Sequence, residues 1–309
     1  MSCLPFLHRT SAAAALVAGT LVHATDPQAL LTRPMPGKPE WTRAHVPIRI
    51  YGNTYYVGSY GISAVLVDTG AGLILLDVGL PQSAPQVEAN IAKLGFKLAD
   101  VKYVLNSHAH FDHAGGIAAL VRDSGATAIA SPSGATALRA GHVVADDPQA
   151  SDVANAAFPA AARVREIADG EAVRLGDTAI TAHFTPGHTP GSTTWTWKSC
   201  ENGKCLDVVY SDSLSAFASD GFHFLADATH GDLTASFRKS IRTVASLPCD
   251  ILVSTHPDAS GADERLAKLA VRREPNPMID AQACRRFAAK FEKMLDERIA
   301  DENKAAQAH

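Results

Sequence analysis

The 309-residue chain is predicted to fold as a mixed α/β domain of two similar halves, with strands inside and helices outside. Each half begins with short strands and then forms a strand–loop–helix unit that carries histidines. No long Pro-, Gly- or Ser-rich linker separates the halves, and 46% of the residues are hydrophobic, so one sizeable core can form. We therefore expect a single domain over residues 25–309.

The first half begins with a predicted antiparallel meander. Runs rich in β-branched and aromatic residues, separated by Gly-containing turns, predict strands at residues 47–51, 54–57, 62–68 and 73–77. Val87 and Ile91 recur at helical spacing and predict a helix over residues 82–94. A buried strand at residues 101–105 and a helix over residues 114–121 are expected to follow.

The second half repeats this pattern. Strands are predicted at residues 172–175, 179–184, 193–197 and 208–210. A helix over residues 233–247, a short strand at 251–253 and a long terminal helix over 279–304 complete the chain. Residues 134–162 are Ala-rich without a clear apolar period, and we interpret them as a segment able to move over a site.

The N-terminus has the pattern of an export signal. His8 and Arg9 precede an apolar, small-residue run over residues 11–22, and Val22 and Ala24 fit the small-x-small pattern of a cleavage site. We predict that residues 1–24 are a signal peptide and that the mature chain is periplasmic; a helical or disordered arm is the alternative. The run is shorter than the roughly 20 residues that span a bilayer, so no membrane association is expected.

The net charge and the cysteine content narrow the class of protein further. A formal net charge of −4 without basic runs excludes an evident nucleic-acid partner, and a monomer acting on a small molecule is the default expectation. Beyond the signal peptide, four cysteines allow three disulfide pairings. Cys200 and Cys205 flank a turn-like stretch, which favours a hairpin disulfide and leaves Cys249 with Cys284; a Cys-rich zinc site is disfavoured because no CxxC pair occurs.

The segment His108-Ala109-His110-Phe111-Asp112-His113 concentrates metal-ligand side chains directly after a predicted strand. Extended backbone directs His108 and His110 to one side, and Asp112 and His113 follow as the chain turns into a helix. Three imidazoles and a carboxylate in one tight loop are typical of a zinc site. A surface loop that is His-rich by chance is the competing interpretation.

Two later histidines occupy similar positions. His188 lies in a Thr-Pro-Gly-His-Thr-Pro-Gly turn after the strand ending at Phe184, and His256 follows the strand at residues 251–253. Each could be structural on its own. Together with the first cluster they complete six candidate ligands, which suits two zinc ions with three protein ligands each and open positions for hydroxide and substrate.

At these residues the chain resembles the metallo-β-lactamase superfamily, from about Ile48 to the C-terminus. The resemblance implies a four-layer αββα sandwich. The Asp212-Ser213-Leu214-Ser215 segment is most similar to the third subclass of class B β-lactamases, and Cys249 and Cys284 match the position of a disulfide typical of that subclass.

The resemblance also implies roles for individual residues. The first zinc would be bound by His108, His110 and His188, and the second by Asp112, His113 and His256. Asp112 would also act in catalysis by orienting the hydroxide. Ser213 and Ser215 would bind the substrate carboxylate, and Gln149 would help to hold the carbonyl oxygen. Asp212 would turn away from the metals, although related glyoxalases and lactonases have a bridging Asp nearby.

The function implied is a secreted di-zinc β-lactamase, and hence antibiotic resistance. A metal-bound hydroxide would open the β-lactam amide bond of penicillins, cephalosporins and carbapenems. One alternative is a lactonase or thioesterase on the same fold. A second is a non-catalytic periplasmic zinc-binding protein, which would bind metal tightly without turnover.

Overall fold

Two β-sheets pack face to face in the computed structural model, and helices cover both outer surfaces. The structure describes residue 1, residues 31–152 and residues 155–307. The predicted signal peptide lies outside these ranges apart from Met1. Among the helices of the described residues, none combines the length and the apolar character needed to cross a bilayer.

The first sheet has its strands in chain order. Its first four strands form the predicted antiparallel meander, and the pairs from β4 onward are parallel. The strands are β1 (Ile48–Tyr51), β2 (Thr54–Tyr56), β3 (Val65–Asp68), β4 (Leu73–Leu76), β5 (Val101–Leu105), β6 (Thr127–Ala130) and β7 (Val164–Glu166).

The second sheet has the order β12-β11-β10-β9-β8. Only the β11–β12 pair is parallel, so β12 takes the place in this half that β5 takes in the first. The strands are β8 (Ala172–Leu175), β9 (Thr178–Phe184), β10 (Thr193–Glu201), β11 (Lys204–Ser211) and β12 (Ile251–Ser254).

The described α-helices flank this sandwich or line its edge. They are α1 (Pro39–Thr42), α2 (Ala84–Lys93), α3 (Phe111–Ala114), α4 (Ile117–Ser124), α5 (Pro132–Ala140), α6 (Thr234–Ser246), α7 (Pro257–Ser260), α8 (Ala262–Val271) and α9 (Ala283–Gln307). Helices α2, α4 and α5 pack on the first sheet, and α6 and α9 pack on the second.

Strand β4 shows why the sheets stack in this way. Leu73 and Leu75 face the helix layer, whereas Ile74 and Leu76 face the second sheet. All four side chains are buried, as expected for a strand covered on both faces. The αββα prediction is therefore confirmed.

The structure corrects two details of the helix predictions. The helix predicted over residues 114–121 is two helices, α3 and α4, separated by Gly115 and Gly116. A Cβ on Gly115 would lie 2.2 Å from the Phe111 carbonyl oxygen and 2.4 Å from Pro81 Cδ, so this close approach requires glycine. The terminal helix begins at Ala283, because residue 279 is still paired with Ile251 in a β-bridge.

Six of the described elements were not predicted: α1, β6, β7, α5, α7 and α8. Strand β6 has the sequence Thr-Ala-Ile-Ala, and its four residues are too few to form a clear run of strand-forming side chains. Helix α5 lies partly within residues 134–162, where the sequence lacks a period. It starts at Pro132, and its N-cap Ser131 accepts a hydrogen bond from the Gly134 backbone N–H (3.3 Å).

Both favoured disulfides are present. Cys200 and Cys205 are directly opposite each other in the β10–β11 hairpin. Cys249, just before β12, is bonded to Cys284 in α9, 35 residues along the chain. The second bond therefore ties the terminal helix to the second sheet.

We expect loss of the Cys249–Cys284 bond to destabilise the protein more than loss of the Cys200–Cys205 bond. Loop-closure entropy gives about 4 kcal/mol for the longer loop and about 2 kcal/mol for the shorter one. Urea unfolding of the two double Cys→Ala variants, compared with the unchanged protein, measures both. Equal losses, or a larger loss for the hairpin pair, would contradict this expectation.

Candidate metal centre

The six predicted metal ligands lie at the carboxyl ends of strands, which meet at one edge of the sandwich. His108 is fully buried and the other five are buried or half-buried. The ligands are His108 and His110 after β5, Asp112 and His113 in α3, His188 after β9, and His256 after β12.

Two groups of these side chains are spaced to hold a metal ion. The potential ligand atoms of His108, His110 and His188 lie within 4.8 Å of one another, and this is the set predicted for the first zinc. A second such group contains His108, Asp112 and His113. The two groups share His108 and are therefore adjacent.

Asp112, His113 and His256 form a nearly equilateral triangle of ligand atoms. His113 Nε2 lies 3.2 Å from His256 Nε2, and Asp112 Oδ2 lies 3.4 Å from each of these nitrogens. Ligands at 2.0–2.1 Å from a tetrahedral zinc ion are about 3.3–3.4 Å apart. The triangle therefore has the dimensions of one face of a zinc coordination tetrahedron.

Four of the five histidines have one ring nitrogen within hydrogen-bond distance of an oxygen atom on the outer side of the ring, whereas His113 Nδ1 has no hydrogen-bond partner among the described residues. These contacts leave the other nitrogen of each ring directed toward its fellow ligands. Outer contacts of this kind fix the tautomer and orientation of metal-binding histidines. The contacts are His108 Nδ1 with Asp212 Oδ1 (2.6 Å), His110 Nε2 with Asp147 Oδ1 (3.1 Å), His188 Nδ1 with Ser215 O (3.0 Å), and His256 Nδ1 with Gly61 O (3.2 Å). The nearest carboxylate oxygen to His113 Nδ1 is Asp77 Oδ2, at 3.9 Å.

The inner nitrogen of His108 shows that the residues fit a metal. His108 Nε2 is buried and has no hydrogen-bond partner among the described residues. An unpartnered buried nitrogen is costly, and a metal ion would remove this cost. The donor set of imidazoles and one carboxylate is the set that zinc prefers.

Burial holds most of the histidines in the neutral form that binds metal. Burial, helped by His113, lowers the pKa of His108 well below its usual range, and burial together with His110 lowers the pKa of His188 to about 3. Burial also lowers the pKa of His256. Neutral imidazoles keep a lone pair available, so proton competition at these ligands is weak.

Asp112 and His113 are charged partners by contrast. Burial alone would raise the pKa of Asp112, but the neighbouring His113 and His256 outweigh burial and hold the pKa below its usual range. Burial would likewise lower the pKa of His113, but the Asp112 charge outweighs it and raises the pKa. Asp112 is thus an anionic ligand among the histidines.

Asp77 anchors the loop that carries the first histidines, and sequence reasoning missed it. Its carboxylate accepts hydrogen bonds from the Ser107 backbone N–H (2.8 Å), the Asn106 side chain (3.1 Å) and the Tyr210 hydroxyl (2.9 Å). It lies just after β4 and adopts φ = 53°, a conformation that Asp tolerates better than most residues. Asp77 follows an apolar strand, as His108 does, and this position is the sequence pattern that could have identified it.

Trp41 is a second residue that sequence reasoning missed. Its ring lies 5.4 Å from the His256 ring and 6.4 Å from the Phe111 ring. Gly61 fits beneath it, because a Cβ at that position would come within 2.6 Å of Trp41 Cδ1. The segment before β1 thus covers the His256 side of the centre.

The predicted substrate residues lie around the ligands. Ser215 Oγ is 3.2 Å from His188 Nδ1, and Ser213 Oγ is 3.0 Å from Thr255 Oγ1, next to His256. Gln149 Nε2 is 3.4 Å from His110 Nδ1. Their roles toward a substrate stay predictions.

Asp212 lies behind His108. Its Oδ1 contacts the outer nitrogen of that ring, and Asp212 belongs to neither potential metal group among the described residues. Burial raises the pKa of Asp212 well above its usual range and lowers that of His108, so burial opposes ionisation of both. This arrangement agrees with an Asp that supports a ligand.

Comparison with known proteins identifies the class. The family model described as the metallo-β-lactamase superfamily matches residues 57–256, which include all six ligands. The chain therefore belongs to the metallo-β-lactamase superfamily.

Solved structures narrow this to one subclass. MEM-A1, a subclass B3 metallo-β-lactamase from a soil metagenome library, is 46% identical with a TM-score of 0.82, over 86% of this chain and 99% of its own. Rm3 metallo-β-lactamase is 44% identical with a TM-score of 0.83, and the match covers 87% of this chain and 100% of the Rm3 chain. The metallo-β-lactamase SMB-1, solved with bound 2-mercaptoethanesulfonate, is 46% identical with a TM-score of 0.80, and the match covers 85% of this chain and 99% of the SMB-1 chain. The predicted likeness to the third subclass, and to zinc-dependent hydrolases, is confirmed.

A more distant match comes from a curated protein. The lactamase-like protein aptB of Emericella nidulans is 31% identical over 144 residues, which are 46% of this chain. The match spans only 35% of that protein.

Proposed function

We propose that the protein is a periplasmic, monomeric di-zinc β-lactamase that hydrolyses the amide bond of penicillins, cephalosporins and carbapenems. The observation that carries this proposal is the arrangement of six ligands in two adjacent half-sites at one edge of the sandwich. The likeness to subclass B3 enzymes over most of both chains supports it.

The two half-sites are defined by their ligands. The first half-site comprises His108, His110 and His188, and the second comprises Asp112, His113 and His256. The triangle of 3.2 and 3.4 Å edges supports a metal in the second half-site, in addition to the three-histidine group. When bound, zinc lowers the pKa of a coordinated water and polarises a carbonyl group.

Asp112 is the residue best placed to orient the attacking water. It is the single carboxylate among the six ligands, and its depressed pKa keeps it a hydrogen-bond acceptor at neutral pH. Oδ2 already belongs to the ligand triangle. The carboxylate can therefore hold the water in line with a carbonyl carbon in the adjacent space.

Ser215 is able to bind an anionic group of the substrate. Since the pKa of His188 is low, its ring is neutral, and Nδ1–H donates toward both the carbonyl and the hydroxyl oxygen of Ser215. The Ser215 hydroxyl proton then remains available to donate to a carboxylate. A cavity of about 790 Å³ beside it, lined by Trp41, Tyr60, His256 and Lys290, has the size of a small-molecule site.

A substrate panel on the purified, zinc-loaded protein tests the proposal. We expect hydrolysis of a penicillin, a cephalosporin and a carbapenem, with weak or no turnover of an acyl-homoserine lactone and a glutathione thioester. Preferred turnover of the lactone or thioester would establish the alternative hydrolase. Tight zinc binding without any turnover would establish the non-catalytic alternative. Mass spectrometry of the mature chain from a periplasmic fraction would show whether residues 1–24 are removed.

A further inference from the structure

Asp147 lies directly behind a ligand of the first half-site. Its two carboxylate oxygens are 3.1 and 3.2 Å from His110 Nε2, and its side chain is only 3% exposed. A buried carboxylate is costly unless it is paired and hydrogen-bonded. Here the partner is the ring nitrogen that faces away from the other ligands.

The same carboxylate also holds Gln149. The Gln149 backbone N–H donates to Asp147 Oδ1 (2.8 Å), while its side-chain Nε2 lies 3.4 Å from His110 Nδ1. One short turn thus touches both nitrogens of the His110 ring. The turn itself is held by backbone bonds from Asp147 N to Val144 O (3.1 Å) and from Ala150 N to Asp147 O (2.9 Å).

The need for this carboxylate follows from the charges of the two half-sites. The second half-site contains a carboxylate ligand, Asp112, whereas the first is made only of imidazoles. A dication held by three imidazoles has no carboxylate ligand in that half-site to compensate its charge. A carboxylate that accepts the outer N–H of a ligating imidazole makes that ring a stronger donor to the metal.

We propose that Asp147 is a positioning residue for metal binding. It fixes His110 in the tautomer with the proton on Nε2, supplies negative charge to the first half-site, and couples the place of Gln149 to that ring. This inference rests on the zinc centre in the proposed function and not on the identity of the substrate.

An Asp147→Asn variant tests the proposal because it keeps the shape of the side chain and removes its charge. Competition against a chromophoric chelator should show one zinc bound about 10–100-fold more weakly than in the unchanged protein, with the other zinc little affected. Asp146→Asn is the matched control, since it removes the same charge from the exposed neighbouring residue. An unchanged affinity, or an equal loss in both variants, would overturn the proposal.

Two further measurements separate positioning from a general structural effect. In a His110→Ala background, Asp147→Asn should cause no additional loss of zinc affinity, whereas an additive loss would contradict coupling between the two residues. In the unchanged zinc-loaded protein, ¹⁵N-histidine NMR should show a slowly exchanging His110 Nε2–H. Its absence would refute the proposal even if the variant failed to fold, and none of these readouts requires turnover of a β-lactam.

Discussion

An Asp112→Ala variant is expected to lose at least about 100-fold in the rate of carbapenem hydrolysis. Loss of an outer partner of a ligand already costs about 10–100-fold, and Asp112 is a ligand itself. Removing it opens the ligand triangle, takes away the only carboxylate among the six ligands, and leaves His113 without the charge that raises its pKa. Steady-state hydrolysis of imipenem, with zinc content measured on the same sample, checks the result.

Asp177→Ala is the matched control for this variant. Asp177 is exposed in the turn between β8 and β9, so the same substitution there should leave hydrolysis unchanged. We expect the Asp112 variant to remain folded and to hold less zinc in the second half-site. Turnover at the rate of the unchanged protein would refute the proposed role of Asp112.

A Gly187→Ala variant is expected to weaken zinc binding in the first half-site, although Gly187 is not itself a metal ligand. A Cβ at this position would lie 2.2 Å from Phe237 Cδ2 and 2.5 Å from Phe237 Cγ, in a ring that is fully buried. The ring is packed against helix α6 neighbours and the outer face of the second sheet, so it cannot simply move aside. Either the core repacks at a cost of about 1–3 kcal/mol, or the turn that carries His188 shifts.

We expect some repacking of the core and some displacement of the turn that carries His188. Two measurements on one preparation separate these effects. Urea unfolding should show the loss of stability, and chelator competition should show weaker zinc binding by at least about tenfold. Gly231→Ala is a suitable control, because a Cβ there meets no atom within 4 Å. A Gly187→Ala protein with unchanged stability and zinc affinity would mean that the turn tolerates a side chain.

Local sequence patterns predicted three of the metal ligands because each of the three follows an apolar strand. His108, His188 and His256 could each be placed at the carboxyl end of a strand from β-strand propensity, and the structure brings these strand ends together at one edge of the sandwich. The two halves were visible for the same reason, since their strand patterns repeat.

The outer partners could not be predicted because they depend on tertiary contacts. Asp147 lies in a stretch without hydrophobic periodicity, and nothing local relates it to His110, 37 residues earlier. Gly61 contributes only a backbone carbonyl, 195 residues from His256. A backbone carbonyl group is present in every residue, so the sequence cannot reveal which one accepts a hydrogen bond. Strand β6 escaped prediction because it has only four residues, of which two are alanine.

The division of the ligands between the two halves would link the lifetime of the protein to the supply of zinc. Four ligands come from the first half and two from the second, so a bound ion bridges segments that are far apart in the chain. Each ion that binds only the folded form, at a concentration 100 times its dissociation constant, adds about 2.7 kcal/mol to stability. Scarcity of zinc would then increase the unfolded fraction and its exposure to proteases, so the amount of enzyme, and not only its activity, would follow metal supply.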